Sequence, residues 1–486
     1  MATGTVDSTF SDMLERDYTP RVAAPLEREP PPVAWVETLA ALLAAAPCHP
    51  KDQLRLTVES LIAEIDLAVS KQINAILHAP EFQEVEATWR GLYMVVRASD
   101  ADAGTKIKVL NISKRELNRT MRKFRGDVWD RSPIFMRFYE EEFGQFGGEP
   151  FGVIVGDYYF DHRPDDVALL ADLAKVAAAA HAPFISGVAA SLMQMETWAE
   201  VANPRDLVRI LQTPEYIAWR SLREQEDMRY VGLCMPRFLG RLPYGNMTDA
   251  LDEFAFEEET ATDDNSKLLW CNAAWAFGVN IVRAFVLYGW CVRIRGIDRG
   301  GTVEGLPVLH HPTADGDTDR RTVTEICISE RREAELSSCG LMPLVHRKNS
   351  DVAAYISAQS LQKPIVDSDP DITANANISA RLPYIFACSR FAHYLKCIVR
   401  DKVGSSMTQS QLASWLTNWL MGYVDGSPAT SSEEFKASHP LAAGRVTLIA
   451  RDDTPGVYEA RFFLKPHYQL EGMSVALRLV SRLPTE

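Results

Sequence analysis

Ser379–Lys402 reads SARLPYIFACSRFAHYLKCIVRDK, and its spacing predicts an amphipathic helix from Tyr384 onward. Phe391, Leu395, Ile398 and Val399 recur on one side at three- and four-residue steps, with Cys388 one turn back. Ser389, His393, Lys396 and Arg400 form a polar row on the opposite side. Pro383 falls near the first turn, where a missing N–H costs little. Gly404 stands just past the end as a C-cap, and Arg400 and Lys402 suit the negative end of the helix dipole. A cationic stripe with one acid, Asp401, beside it is unusual in a chain of net charge -14. It reads either as an ordinary solvated helix face or as a docking surface for an acidic partner, and periodicity does not choose between them.

The 486 residues are enough for two or more domains, and 47% hydrophobic with 24% charged residues is ordinary for a chain with a large core. The acidic balance argues against general binding to nucleic acid or to anionic membrane. Eight cysteines include no C-x-x-C pair and mostly lie in apolar runs, which points to a reducing compartment without a disulfide framework. The N-terminus lacks a basic-then-apolar signal pattern, and Asn272, Asn280 and Arg283 break the long apolar stretch from Leu268 to Trp290. These features predict a soluble cytoplasmic protein.

Along the chain, a short helix around Phe10–Leu14 precedes a proline-dense, extended linker from Pro20 to Pro32. An arm on such a linker needs a surface to land on. Helices are expected at Trp35–Ala45, at Thr57–His78 and at Glu81–Arg97, the last with Phe82, Val85, Trp89, Leu92 and Val96 as its apolar row. IKVLNI (Ile107–Ile112), Gly152–Val155 and PFISGV (Pro183–Val188) read as strands separated by helices, a βαβ-type pattern. A long buried helix is expected from Lys267 to Tyr288, short strands at Thr324–Glu330 and in LMPLVH, and a helix from Gln409 to Tyr423. The C-terminus alternates as an antiparallel meander through Val446/Leu448, Ala460/Phe462/Leu464 and Val475/Leu477/Leu479. Its edges need covering, and a partner's strand is one way. The fold class is mixed α/β, with three regions: an arm and linker over 1–50, α/β layers over 51–380, and a C-terminal domain over 381–486.

The chemistry of a catalytic site is hard to find. The glycines at 296, 300, 301 and 305 are not followed by Gly-Lys-Ser/Thr, so they make no P-loop. Asp315, Asp317 and Asp319 begin a calcium-loop spacing, but Arg320 and Ile326 stand where glycine and glutamate are required. His310 and His311 are adjacent in a strand-like segment and point apart, with no third ligand at metal spacing. Asp157 ends a strand, where α/β enzymes often place catalytic groups, and reads equally as a turn cap. The sequence therefore assigns no catalytic residue, no metal and no cofactor.

Several stretches resemble the large sheath subunit of the bacterial type VI secretion system, the TssC/VipB family. They are HAPEFQEVEATWRGL, IKVLNISKREL, PFGVIVGDY, RRTVTEICISERREAELSSCGLMPLVH, SAQSLQKP, ANANISARLPYIFACSRFAHYLKCIVRDKVG and the C-terminal strands, in order from about residue 50 to the end. The resemblance implies a structural subunit that pairs with a small sheath subunit (TssB/VipA type) and stacks with copies of itself around an inner tube (Hcp type). The C-terminal part would be similar to phage tail sheath domains. It implies contraction that drives the tube outward, a baseplate at one end in the envelope, and a disassembly ATPase (ClpV type) acting mainly through the small subunit. Strand exchange between neighbours would use Val446, Leu448, Phe462, Leu464, Val475, Leu477 and Leu479. A C-terminal helix faces the inner tube in related sheaths, which makes Ser389, His393, Lys396 and Arg400 the expected contacts. The alternatives are a sheath of another contractile device, such as a phage tail, and a cytoplasmic α/β enzyme using the Asp157 region.

Overall fold

The computed structural model describes residues 51–100, 102–203, 206–246, 248–250, 254–260, 265–312, 318–402, 407–450 and 458–467. The expected elements at Phe10–Leu14, Pro20–Pro32 and Trp35–Ala45 lie outside the described residues, as do Val475, Leu477 and Leu479. The chain divides into two compact units, one of Met1–Ile73 with Glu253–Phe256 and one of Asn74–Asp252 with Glu257–Glu486. In the first, the described part is essentially the N-terminal six turns of a helix, Lys51–Leu77.

The larger unit contains β1 (Ile154–Phe160), β2 (Phe184–Val188), β3 (Val231–Met235), β4 (Phe238–Leu239), β5 (Trp270–Cys271), β6 (Thr302–Val303), β7 (His310–Pro312), β8 (Thr318–Arg320), β9 (Leu341–His346), β10 (Ala353–Tyr355), β11 (Leu441–Ala450) and β12 (Tyr458–Pro466). Six strands form one sheet in the order β1-β2-β3-β9-β10-β6. The first four are parallel, with Val155 opposite Ile185, Ile185 opposite Gly232 and Leu233 opposite Leu341; β10 and β6 run antiparallel. Parallel neighbours need crossovers, and the Pro164–Ala180 helix between β1 and β2 is one. Both faces of such a sheet must be covered, which explains why every residue of β2 and β3 is buried.

One face carries the alanine-rich Pro164–Ala180 helix, packed through Leu169, Leu170 and Leu173 with Trp219 and Tyr216. The other carries a helix at Ala273–Tyr288, capped by the Asn272 side chain and closed by Gly289 at φ 72. Asn272 also donates through Nδ2 to the Tyr158 carbonyl, tying the helix start to β1. The helix is apolar on nearly all sides because it meets the sheet beneath and the Pro80–Ala98 helix above. A Cβ on Gly91 would stand 2.2 Å from the Trp275 ring, so this glycine lets the two helices approach.

Several sequence expectations change, among them the helix expected from Lys267, which begins only at Ala273 after the strand Trp270–Cys271. The Pro80–Ala98 helix forms, but Gly91 and Val95 are its buried positions. Of its expected apolar row, Phe82, Val85, Trp89 and Val96 are exposed, Val85 by 56% and Trp89 by 64%, while Leu92 packs partly on the core. The Gly91 contact decides which side goes in. Residues 107–112, expected as a strand, form no strand and join no sheet among the described residues. Thr324–Glu330 contributes only a single bridge, Thr324 with Phe238.

Replacing Gly91 with valine forces side-chain atoms into the Trp275 ring. Gly91→Val should lower the unfolding free energy by about 1–3 kcal/mol, measured as a shifted urea midpoint at unchanged slope.

Candidate assembly surface

The stretch from Ser379 folds as a helix over Leu382–Lys402. Its apolar side behaves as its spacing demands. Phe391 and Leu395 are buried against Trp290, Leu416 and Leu420. The Trp290 and Phe391 ring centroids lie 4.4 Å apart. The Gln409–Met421 helix packs alongside, begun by a reciprocal capping box between Thr408 and Gln411.

The polar side is where burial overrules periodicity. Ser389 and His393 are each only 3% exposed. His393 directs Nε2 at the Ala180 carbonyl, 2.9 Å away. A carbonyl only accepts, so Nε2 carries the proton and the ring is a neutral donor there. That carbonyl is one of the last in its helix and otherwise lacks an intrahelical partner. Burial, reinforced by the nearby charges of Arg390 and Lys396, pushes the His393 pKa down to about 4. Lys396 places Nζ 3.6 Å from the centre of the Phe143 ring and 4.6 Å from that of Tyr139. Arg400 donates from Nη1 to the Gln145 carbonyl at 2.9 Å and lies over Phe146.

As a free contact surface, the row of Ser389, His393, Lys396 and Arg400 is therefore corrected. Two members are buried and two lie on aromatic rings of the Met136–Gly144 helix and the residues just after it. The residues that the sequence reading missed are Tyr139, Phe143 and Phe146. Their signal was the aromatic run MRFYEEEFGQF, whose rings recur at helical steps.

The C-terminal strands do pair. β11 and β12 form an antiparallel hairpin with Val446 opposite Phe462 and Gly444 opposite Leu464. Val446, Leu448, Phe462 and Leu464 turn toward the helices and are partly buried on the Phe391–Leu416 core. Arg445, Thr447, Ile449, Phe463 and Lys465 alternate with them on an exposed face. Gln409 donates from Nε2 to the Leu448 carbonyl at 3.0 Å, pinning the hairpin to its helix.

The candidate catalytic features have structural partners. Asp157 Oδ2 accepts from the Thr88 hydroxyl at 2.5 Å, joining β1 to the Pro80–Ala98 helix. The glycine loop is held down by Asn280 and Arg283, which donate to the Gly301 and Gly300 carbonyls. His310 and His311 lie on β7 opposite Arg320 and Asp319, while Asp315 and Asp317 fall outside the described residues. Among the described residues, no helix is long and apolar enough to cross a membrane.

Comparison with known proteins matches this architecture along most of its length. The family model described as EvpB/VC_A0108, tail sheath N-terminal domain, covers residues 59–362. A second, the EvpB/VC_A0108 tail sheath gpW/gp25-like domain, covers residues 371–483. This chain belongs to the VipB tail sheath family. The type VI secretion system sheath protein TssC1 of Pseudomonas aeruginosa strain PAO1 is 54% identical over 98% of this chain and 95% of its own length. Two more distant likenesses are to a chain of the anti-feeding prophage baseplate and to that particle's contracted helical sheath. The first is 10% identical, covers 78% of this chain and 84% of that one, and has a TM-score of 0.39. The second is 12% identical, covers 65% and 68%, and has a TM-score of 0.33. Neither carries an argument at that similarity. For a sheath-family chain the polar row thus has an internal role, closing the end of one helix and bracing another.

His393 supplies a pH test of that role. Its folded pKa lies below the unfolded value near 6.5, so its contribution is full above pH 6.5 and is lost as pH falls toward 4. His393→Gln should make stability between pH 7 and 4.5 shallower by about one proton, read from urea midpoints across that range.

Proposed function

We propose that this chain is the large subunit of a contractile type VI secretion sheath. It would co-assemble with a small sheath subunit into a helical tube around an inner tube, and contract to propel that tube. The observation that carries the reading is the 54% identity to a type VI sheath protein over nearly the whole of both chains. Its function is then mechanical: the chain acts by being repeated, and its side chains are spent on packing and pairing instead of on turnover. The filament would lie in the bacterial cytoplasm, attached to an envelope-anchored baseplate and recycled by a ClpV-type ATPase acting mainly through the small subunit.

A head-to-tail contact that does not close generates an open helical filament. We assign the connecting role to the N-terminal arm, residues 1–50, and to the strands of the C-terminal region, 381–486, through edge pairing between copies. Energy would reside in an extended lattice whose subunit packing has a second, shorter arrangement. Any grip on an inner tube through the Leu382–Lys402 helix falls to Lys396 and Arg400, which keep partial exposure, and not to buried Ser389 and His393.

Co-expression with the small sheath subunit, followed by negative-stain microscopy, should show tubes; discrete particles at every salt concentration would refute the proposal. Deleting residues 1–30 should leave the two-subunit complex intact on size-exclusion chromatography while abolishing long filaments. Filaments of normal length from that deletion would remove the arm from the connecting role.

A further inference from the structure

The Leu382–Lys402 helix meets the end of the Pro164–Ala180 helix through a pair of histidines. His181 follows Ala180 as the C-cap, in the left-handed conformation at φ 51. Its ring lies across from that of His393, with centroids 6.3 Å apart. Phe143 stands edge-on to both, 5.9 Å from His181 and 5.2 Å from His393. The Tyr230 hydroxyl comes within 3.2 Å of His181 Nδ1. The pair thus sits where the flanking layer of the sheet meets the C-terminal part of the chain. His181 falls within the family match over residues 59–362 and His393 within the match over residues 371–483.

A second proton has no place on the His393 ring. Its one N–H is directed at the Ala180 carbonyl, and its other nitrogen, Nδ1, is buried with no hydrogen-bond partner among the described residues. A proton added there would be a buried donor without an acceptor. The charge it brings would also stand among charges of its own sign. Lys396 holds its ammonium 3.6 Å from the centre of the Phe143 ring, and Arg390 lies over Tyr394 and Phe285. The titratable and charged groups around the pair are Arg390 and Lys396 on the helix itself, Tyr139 on the Met136–Gly144 helix, and Tyr230, on which Arg229, Cys388 and Asp227 act in turn. Among the described residues, no carboxylate acts on either histidine. Burial, reinforced by these cations, holds both rings below the ordinary histidine range.

We infer that His181 and His393 form an acid-sensitive latch: proton uptake by the pair opens the joint between the Leu382–Lys402 and Pro164–Ala180 helices while the parallel sheet stays folded. The direction follows from the two environments. Opening hands both rings to water, where a histidine takes up its proton near pH 6.5, so protons favour the open form. The latch is fully shut above that pH and weakens as pH falls toward 4. The sheet behind it is indifferent to acid over the same range, because β2 and β3 carry no group that titrates there. The latch is a property of the single chain and stands whatever assembly the chain enters.

Hydrogen exchange read by mass spectrometry on the purified full-length chain between pH 7 and 4.5 tests the latch, with protection factors corrected for the intrinsic pH dependence of exchange. Protection over residues 384–400 and 176–181 should fall about tenfold or more per pH unit below pH 6, while β2 and β3 keep theirs. The double variant His181→Gln with His393→Gln keeps an N–H donor at each position and removes the titration, so its protection should stay constant across the range. An equal fall in the double variant overturns the inference, as does a fall shared by β2 and β3, or no fall in the unaltered chain. Should the double variant not fold, Lys396→Gln decides the matter. Without that neighbouring cation the closed pair accepts protons more readily, and the total fall should be smaller by about threefold, the equivalent of half a pKa unit. An unchanged fall in Lys396→Gln overturns the inference.

Discussion

The Leu382–Lys402 helix is packed on both its apolar and its polar side, and much of the larger unit depends on that. None of its described side chains before Asp401 is fully exposed. A helix enclosed on every side must find an internal partner for each polar group it carries, because an unpaired buried donor costs about 1–3 kcal/mol. The chain supplies some of these partners from far away in sequence, while His393 Nδ1, Arg390 Nε and Arg400 Nε find none among the described residues. The Ala180 carbonyl accepts from His393, the Phe143 and Tyr139 rings take the Lys396 ammonium, and Gln145 takes the Arg400 guanidinium. The apolar side meanwhile holds Trp290, the Gln409–Met421 helix and the inner face of the β11–β12 hairpin. One helix thereby joins the parallel sheet's flanking layer to the C-terminal hairpin.

That closure explains which surfaces remain for assembly. Several buried polar groups, such as Trp219 Nε1 and Trp275 Nε1, have no hydrogen-bond partner among the described residues, and several apolar groups outside are uncovered. The outward stripe of the Pro80–Ala98 helix and the exposed face of β11–β12 are each costly to leave against water in a lone chain. In a subunit that spends its working life inside a lattice, they become binding free energy. A filament protein gains from a rigid interior with sticky edges, since contraction must rearrange contacts between copies without loosening each copy.

Much of the fold was legible. Alternation of apolar strands with helices, as in Gly152–Val155 and Pro183–Val188, points to the layered sheet whose strands β1 and β2 overlap those stretches. The 382–402 helix was equally plain from its spacing. What periodicity does not carry is the identity of the surface opposite each face. The row at 389, 393, 396 and 400 reads as exterior until Phe143, some 250 residues earlier, is known to lie against it. The apolar row of the Pro80–Ala98 helix reads as interior, but the close approach of Trp275 at Gly91 turns the Gly91–Val95 side inward and leaves only Leu92 of that row on the core. Ile107–Ile112 was read as a strand but joins no sheet among the described residues; pairing is a property of two segments, which the pattern of one does not supply. The shared lesson concerns contact partners, which local sequence does not encode.

A reconstruction of the intact filament by electron cryo-microscopy, at a resolution that separates strands, tests the central claim most directly. The account predicts that the Leu382–Lys402 helix keeps its packing on Phe143 and Ala180 within each copy. A helix swung out with Ser389 and His393 facing the lumen would contradict it.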